Sequence, residues 1–223
     1  MQVIRNLDDL TRATRRREFE DGLVDMLNAA VYLIVGLLTA SVYSPSSIRW
    51  VLHMLATYPE LTALSLLGLV PLLAIFLIWA KRAINRIRRT NLWAASGYIE
   101  PLQNVDWRTS VPALFIVMIW ASIGFWGTQQ GWLAPDSDLR FLISGIGIAV
   151  GVVYLVKGLH IHFSRYIVVG CIGGLLSGML MFVPFSYAAS WAFLGVLWST
   201  ILLLSGLVGL IKMLQMKGGL KNG

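Results

Sequence analysis

The chain has 223 residues, 57% hydrophobic and only 13% charged, with a mean hydropathy of +0.72. Soluble domains are about a quarter charged, so an ordinary soluble domain is excluded. The net charge of +7 sits in short loops beside apolar blocks, which reads as orientation against anionic lipid and not as nucleic-acid binding.

Residues 1–21 read as a basic cytoplasmic leader carrying Arg12, Arg15, Arg16 and Arg17. The next block, 22–43, begins too late and runs too long for the apolar core of a secretory signal, so an uncleaved first span is expected. Asp21 and Asp25 lie one turn apart at its entrance. A carboxylate inside a membrane is a functional candidate by default. Here Asp25 is placed about one turn below the interface, where water and headgroups reach it, and its expected role is to hold an arginine or lysine from the leader or the loop.

Residues 44–60 form a first outer loop. Within it Ile48, Leu52 and Leu55 share one helical face and Arg49, His53 and Thr57 the other, which predicts an interfacial helix over 47–57. Span two, 61–80, carries Pro71 at its middle, where the missing N–H predicts a kink. A basic cytoplasmic loop follows at 81–110, with Arg82, Arg86 and Arg89 repeating on one side and a turn at Ser96-Gly97 before Pro101.

The segment 111–212 holds four more spans, at 111–127, 139–156, 166–183 and 188–211, bracketed by interfacial tryptophans such as Trp107 and Trp132. Gly170, Gly174 and Gly178 recur every four residues, and Gly147 and Gly151 repeat that spacing in the preceding span. Small residues in such a stripe let helix backbones approach, so these five positions are expected to pack helices, within one subunit or between subunits. Residues 213–223 read as a basic, frayed cytoplasmic tail.

The distribution of basic residues orients the spans. With the leader inside, 16 of the 18 lysines and arginines lie on inner segments and only Arg49 and Arg140 outside. The expected architecture is therefore an all-α, polytopic bundle of six spans, with both termini in the cytoplasm and the plasma or inner membrane as its location.

No catalytic signature is present: there is no GxSxG, HExxH, P-loop or dinucleotide fingerprint. His160 and His162 point about 200° apart on a helix, and no carboxylate or cysteine near them in sequence completes a metal site. Cys171 is the single cysteine. No cofactor and no metal are expected. The span centres lack Asp, Glu, Lys, Arg and His, which argues against an ion-coupled transporter while leaving a passive pore open.

Two segments carry a resemblance. RRREFEDGLVDMLN at 15–28 and SGYIEP at 96–101 resemble a loose set of uncharacterised prokaryotic integral membrane proteins. The resemblance implies a multi-span protein and transfers no catalytic residue. It points to an inner-face polar cluster of Asp21, Asp25, Arg82, Arg86, Arg89 and Tyr98.

Three function classes follow. The first is a non-enzymatic accessory or scaffold subunit of a larger membrane assembly, touching anionic lipids and other membrane subunits or copies of itself, with no nucleic acid. The second is a small permease or channel. The third is a lipid-acting enzyme with an inner-face site drawn from Asp21, Asp25, Arg86, Arg89, Tyr98 and His160.

Overall fold

A computed structural model of the chain describes residues 19–88, 90, 107–133 and 137–219. The described residues are all helical with connecting turns, and no strand occurs among them. The helices are α1 (Leu23–Val42), α2 (Pro45–Thr57), α3 (Pro59–Ile87), α4 (Trp107–Gln129), α5 (Ser137–His160), α6 (Ser164–Met179) and α7 (Tyr187–Gly219). Among the described residues, 4 helical stretches are long and apolar enough to cross a membrane: Leu23–Val42, Val111–Gln129, Leu139–His160 and Tyr187–Gln215. Helix α6 is apolar but shorter, at 16 residues.

The chain divides into two compact units, Ser41–Glu100 and the remainder. In the smaller one, α2 begins at a Ser44 cap whose hydroxyl accepts from the Ser47 amide at 3.3 Å, with Pro45 filling the first turn, where no N–H is needed. None of its residues is buried. Helix α3 runs 29 residues with Pro71 inside it and exposed. The side chains of 61–70 and 72–74 lie outside the described residues.

In the larger unit, close contacts fix the direction of each helix against its neighbours. Helix α1 runs antiparallel to α7. Its ends are set by two glycine pairs, Gly22 against Gly206 and Gly36 against Gly195, where a methyl on Gly195 would lie 2.8 Å from the Gly36 Cα. Helices α5 and α6 are antiparallel through Gly147 beside Ser177, Gly151 beside Gly170 and Gly174, and Gly158 beside Ile167. Helix α7 returns along α6 with Trp198 over Gly173, and α4 lies along α5 with Trp120 over Gly145. In hydrocarbon, where apolar burial drives little association, such backbone approach supplies the dispersion contacts that hold helices together. Trp198, Leu202, Ile143 and Tyr166 fill the centre.

Two element ends differ from expectation. Helix α6 stops at Met179, not at 183, and the chain tightens through three i→i−3 bonds, Leu180 to Ser177, Met181 to Gly178 and Phe182 to Met179. Pro184 has no N–H for the Leu180 carbonyl and disfavours helical backbone at Val183, so the last turn closes early. Helix α7 instead continues to Gly219, through the segment expected to fray. Lys212, Met213, Leu214, Gln215, Met216 and Lys217 are all good helix formers.

Candidate functional site

Asp25 is the first-turn carboxylate of α1, and it is fully buried. Gly22 brings it there. With φ of 70° this residue adopts a left-handed turn just before the helix, and a methyl there would collide with the Gly206 carbonyl. The Asp21 carboxylate accepts from the Leu23 amide at 3.1 Å, holding a free first-turn N–H.

Three side chains from two other helices converge on Asp25. The Tyr166 hydroxyl donates to Oδ1 at 2.7 Å. Arg165 Nη2 and the Ser205 hydroxyl both donate to Oδ2, at 2.9 and 3.0 Å. Arg165 also donates to the Phe19 carbonyl, so one guanidinium ties the approach to α1, its first turn and the start of α6. Gly209 on α7 leaves room for it, since a Cβ there would overlap Arg165 Nη1. Phe163 lies under the guanidinium at 4.9 Å, a cation–π contact, and Phe163 and Phe19 both pack on the Tyr166 ring, at 5.1 and 5.3 Å.

This geometry corrects the expectation that water and headgroups reach Asp25, whose side chain keeps no exposed surface. The carboxylate does hold an arginine, one supplied by the start of α6. Of the residues expected in one inner-face cluster, Asp21 and Asp25 stand together at the start of α1. Arg82 and Arg86 lie on α3 in the other unit, and Arg89 and Tyr98 lie outside the described residues.

A buried aromatic column leads on from the clamp. Tyr154 meets Tyr166 edge to face at 5.2 Å and accepts from Asn28 Nδ2 at 3.0 Å. It stacks on Trp198 at 5.8 Å, and Trp198 Nε1 donates to the Ser177 hydroxyl at 3.1 Å. Asp25, Asn28, Tyr32 and Gly36 line one face of α1, the face turned to this column. Of its other members, Trp198 carries no sequence signal, because an aromatic residue in an apolar run reads only as bulk. The clamp residues Arg165, Tyr166 and Ser205 carry no sequence signal either, lying 140 residues or more from Asp25.

Among the expected packing glycines, Gly151 and Gly170 sit at backbone approaches too tight for a side chain, and Gly147 lies tight against the Ser177 and Leu194 side chains. Gly174 and Gly178 would place a methyl 3.7 Å from Gly151 Cα and Ile148 Cδ1, ordinary contact. His160 and His162 are exposed at the α5–α6 turn, His162 with φ of 52°. No group of three metal-ligating side chains occurs among the described residues.

Chemically, the Asp25 site is closed. Both carboxylate oxygens are engaged by protein donors, and the arrangement holds helices together without presenting a reactive group. Compared with models of known protein families, with curated proteins and with solved structures, the chain matches none.

Proposed function

We propose that this protein is a non-enzymatic accessory or scaffold subunit of a larger membrane assembly, built on six spans with both termini in the cytoplasm, in the plasma or inner membrane. One observation carries the reading. The carboxylate of Asp25, sunk into the helical bundle of the larger unit, has both oxygens engaged by Arg165, Tyr166 and Ser205, which supports a cohesive role and not the binding of a coupling ion or substrate. Around it, α4 and α6 present large apolar side chains outward, among them Phe115, Met118, Leu175 and Met179, a surface suited to lipid or to other spans.

Six crossings are favoured by direction. Alternating antiparallel contacts make α1 and α4 run the same way, so the chain between them must return to its starting side. Among the described residues of that segment, helix α3, at 29 residues about 44 Å long, is an element long enough to do so. The excess of basic residues on the inner segments then sets the termini inside.

The test is extraction from native membranes into lipid nanodiscs, followed by identification of whatever travels with the chain. A partner in constant ratio supports the accessory reading. A lone chain that conducts solute in proteoliposomes replaces it with a permease, and one that turns over lipid replaces it with an enzyme.

A further inference from the structure

A groove of about 400 Å³ opens between α1, α4 and α5, lined by Tyr32, Ala113, Val117, Ala149, Val150 and Tyr154 among others. Its size falls within the range of small-molecule sites. Its walls are otherwise aliphatic, with Leu114 and Ile146 beside the alanines and valines, but it carries two phenols. The Tyr154 hydroxyl accepts from Asn28 and keeps its own proton to donate. The Tyr32 hydroxyl has no hydrogen-bond partner among the described residues. In hydrocarbon, an unpartnered donor costs several kcal/mol, so the position calls for an acceptor inside the groove.

Depth restricts what that acceptor can be. Tyr32 is the tenth residue of the 20 in α1, about 14 Å from either end. Phospholipid ester carbonyls lie at the edge of a hydrocarbon layer about 30 Å thick, roughly half that thickness away. Phospholipid carbonyls are thereby excluded, and a small molecule dissolved in the membrane interior is an acceptor that reaches this depth. Tyr32 and Tyr154 are the rings in its lining, and the buried Trp198 indole packs on both, at 6.0 and 5.8 Å.

We propose that this groove binds an apolar, membrane-dissolved carbonyl compound of the isoprenoid-quinone class, with Tyr32 as hydrogen-bond donor to a ring carbonyl and the aliphatic wall around the ring and the first part of its tail. The proposal concerns binding alone. It needs α1, α4 and α5 to span the bilayer, and it goes beyond the accessory role without depending on it.

The experiment uses the purified full chain in phosphatidylethanolamine–phosphatidylglycerol nanodiscs, with a photoreactive azido-benzoquinone bearing a decyl tail. Saturable labelling, mapped to peptides of α1, α4 and α5 and displaced by unlabelled decyl-benzoquinone, is the expected result. Tyr32→Phe keeps the volume and removes the donor, and should weaken binding about tenfold at unchanged melting temperature. Val117→Trp fills the groove and should abolish it. Labelling that does not saturate, that spreads over the outer helix faces, or that Tyr32→Phe leaves unchanged would overturn the proposal. So would displacement of the probe by an acyl-azide phospholipid, which would make the groove a lipid slot, or an absence of labelling, which would mean that protein closes it. A partner that still co-purifies in constant ratio beside failed labelling would leave the accessory reading standing.

Discussion

Asp25 and Arg165, 140 residues apart in sequence, form a 2.9 Å ion pair that joins the first turn of α1 to the first turn of α6. Asp25 is wholly buried, whereas the Arg165 side chain keeps 16% of its surface exposed. That asymmetry sets what each substitution should do, because breaking a buried pair strands the partner that remains.

Asp25→Asn keeps one acceptor oxygen, which Tyr166 can use while the amide N–H faces the Ser205 hydroxyl oxygen, and leaves a partly solvated guanidinium. It should cost about 3 kcal/mol. Arg165→Met leaves a buried carboxylate with only two neutral donors and should cost more, up to about 5 kcal/mol. Thermal unfolding of the two variants in matched detergent checks the order; equal or reversed losses would contradict it.

The two glycines of positive φ separate conformation from packing. Gly131 has φ of 73° and open space where a methyl would stand, whereas Gly22 has φ of 70° and the Gly206 carbonyl in the way. Gly131→Ala should cost about 1 kcal/mol, from left-handed backbone alone. Gly22→Ala adds a clash with backbone that cannot move aside and should fail to give a stable protein. Yield and melting temperature of the pair decide this.

Along the α5–α6 seam, equal spacing should not give equal sensitivity. Gly178→Ala meets Ile148 only at 3.7 Å and should be neutral, or stabilising by up to about 1 kcal/mol through helix propensity. Gly151→Ala pushes against Gly170 and Gly174 backbone and should lower the melting temperature by several degrees. Alanine substitution at each position, one at a time, measures the difference.

Orientation is open to chemical labelling. With Cys171→Ser as background, a cysteine at Gln130, between α4 and α5, should react with an impermeant maleimide on intact cells. One at His162, between α5 and α6, should react only after permeabilisation. The opposite pattern would invert the bundle.

Much of this is legible in the sequence and some is not, for physical reasons. Apolar block length announces membrane helices, since bilayer thickness fixes it, and a carboxylate within an apolar span is rare enough for Asp25 to stand out. Its partner is not legible. Arg82, Arg86 and Arg89 stand out by clustering, yet an ion pair depends on which helices touch, and no local period encodes the meeting of α1 with α6. The four-residue glycine spacing shows that something packs closely. The pairs Gly22–Gly206 and Gly36–Gly195 stay hidden because neither member of a pair announces its partner on a distant helix. Helix ends are the least readable, since Pro184 acts back on the turn before it and the α7 extension rests on propensity alone.

The most direct test of a cohesive, non-chemical Asp25 is the double variant Asp25→Asn with Arg165→Met, which removes both charges and leaves an amide whose oxygen accepts from Tyr166 while its N–H donates to the Ser205 hydroxyl oxygen. The measurement is its melting temperature together with the stoichiometry of the assembly it carries out of the membrane. Recovery of most of the stability lost by either single variant, with the partner retained in the wild-type ratio, is the expected result. A well-folded double variant that has lost its partner, or a solute flux the wild type possesses, would show that the carboxylate does more than hold helices, and would contradict the account.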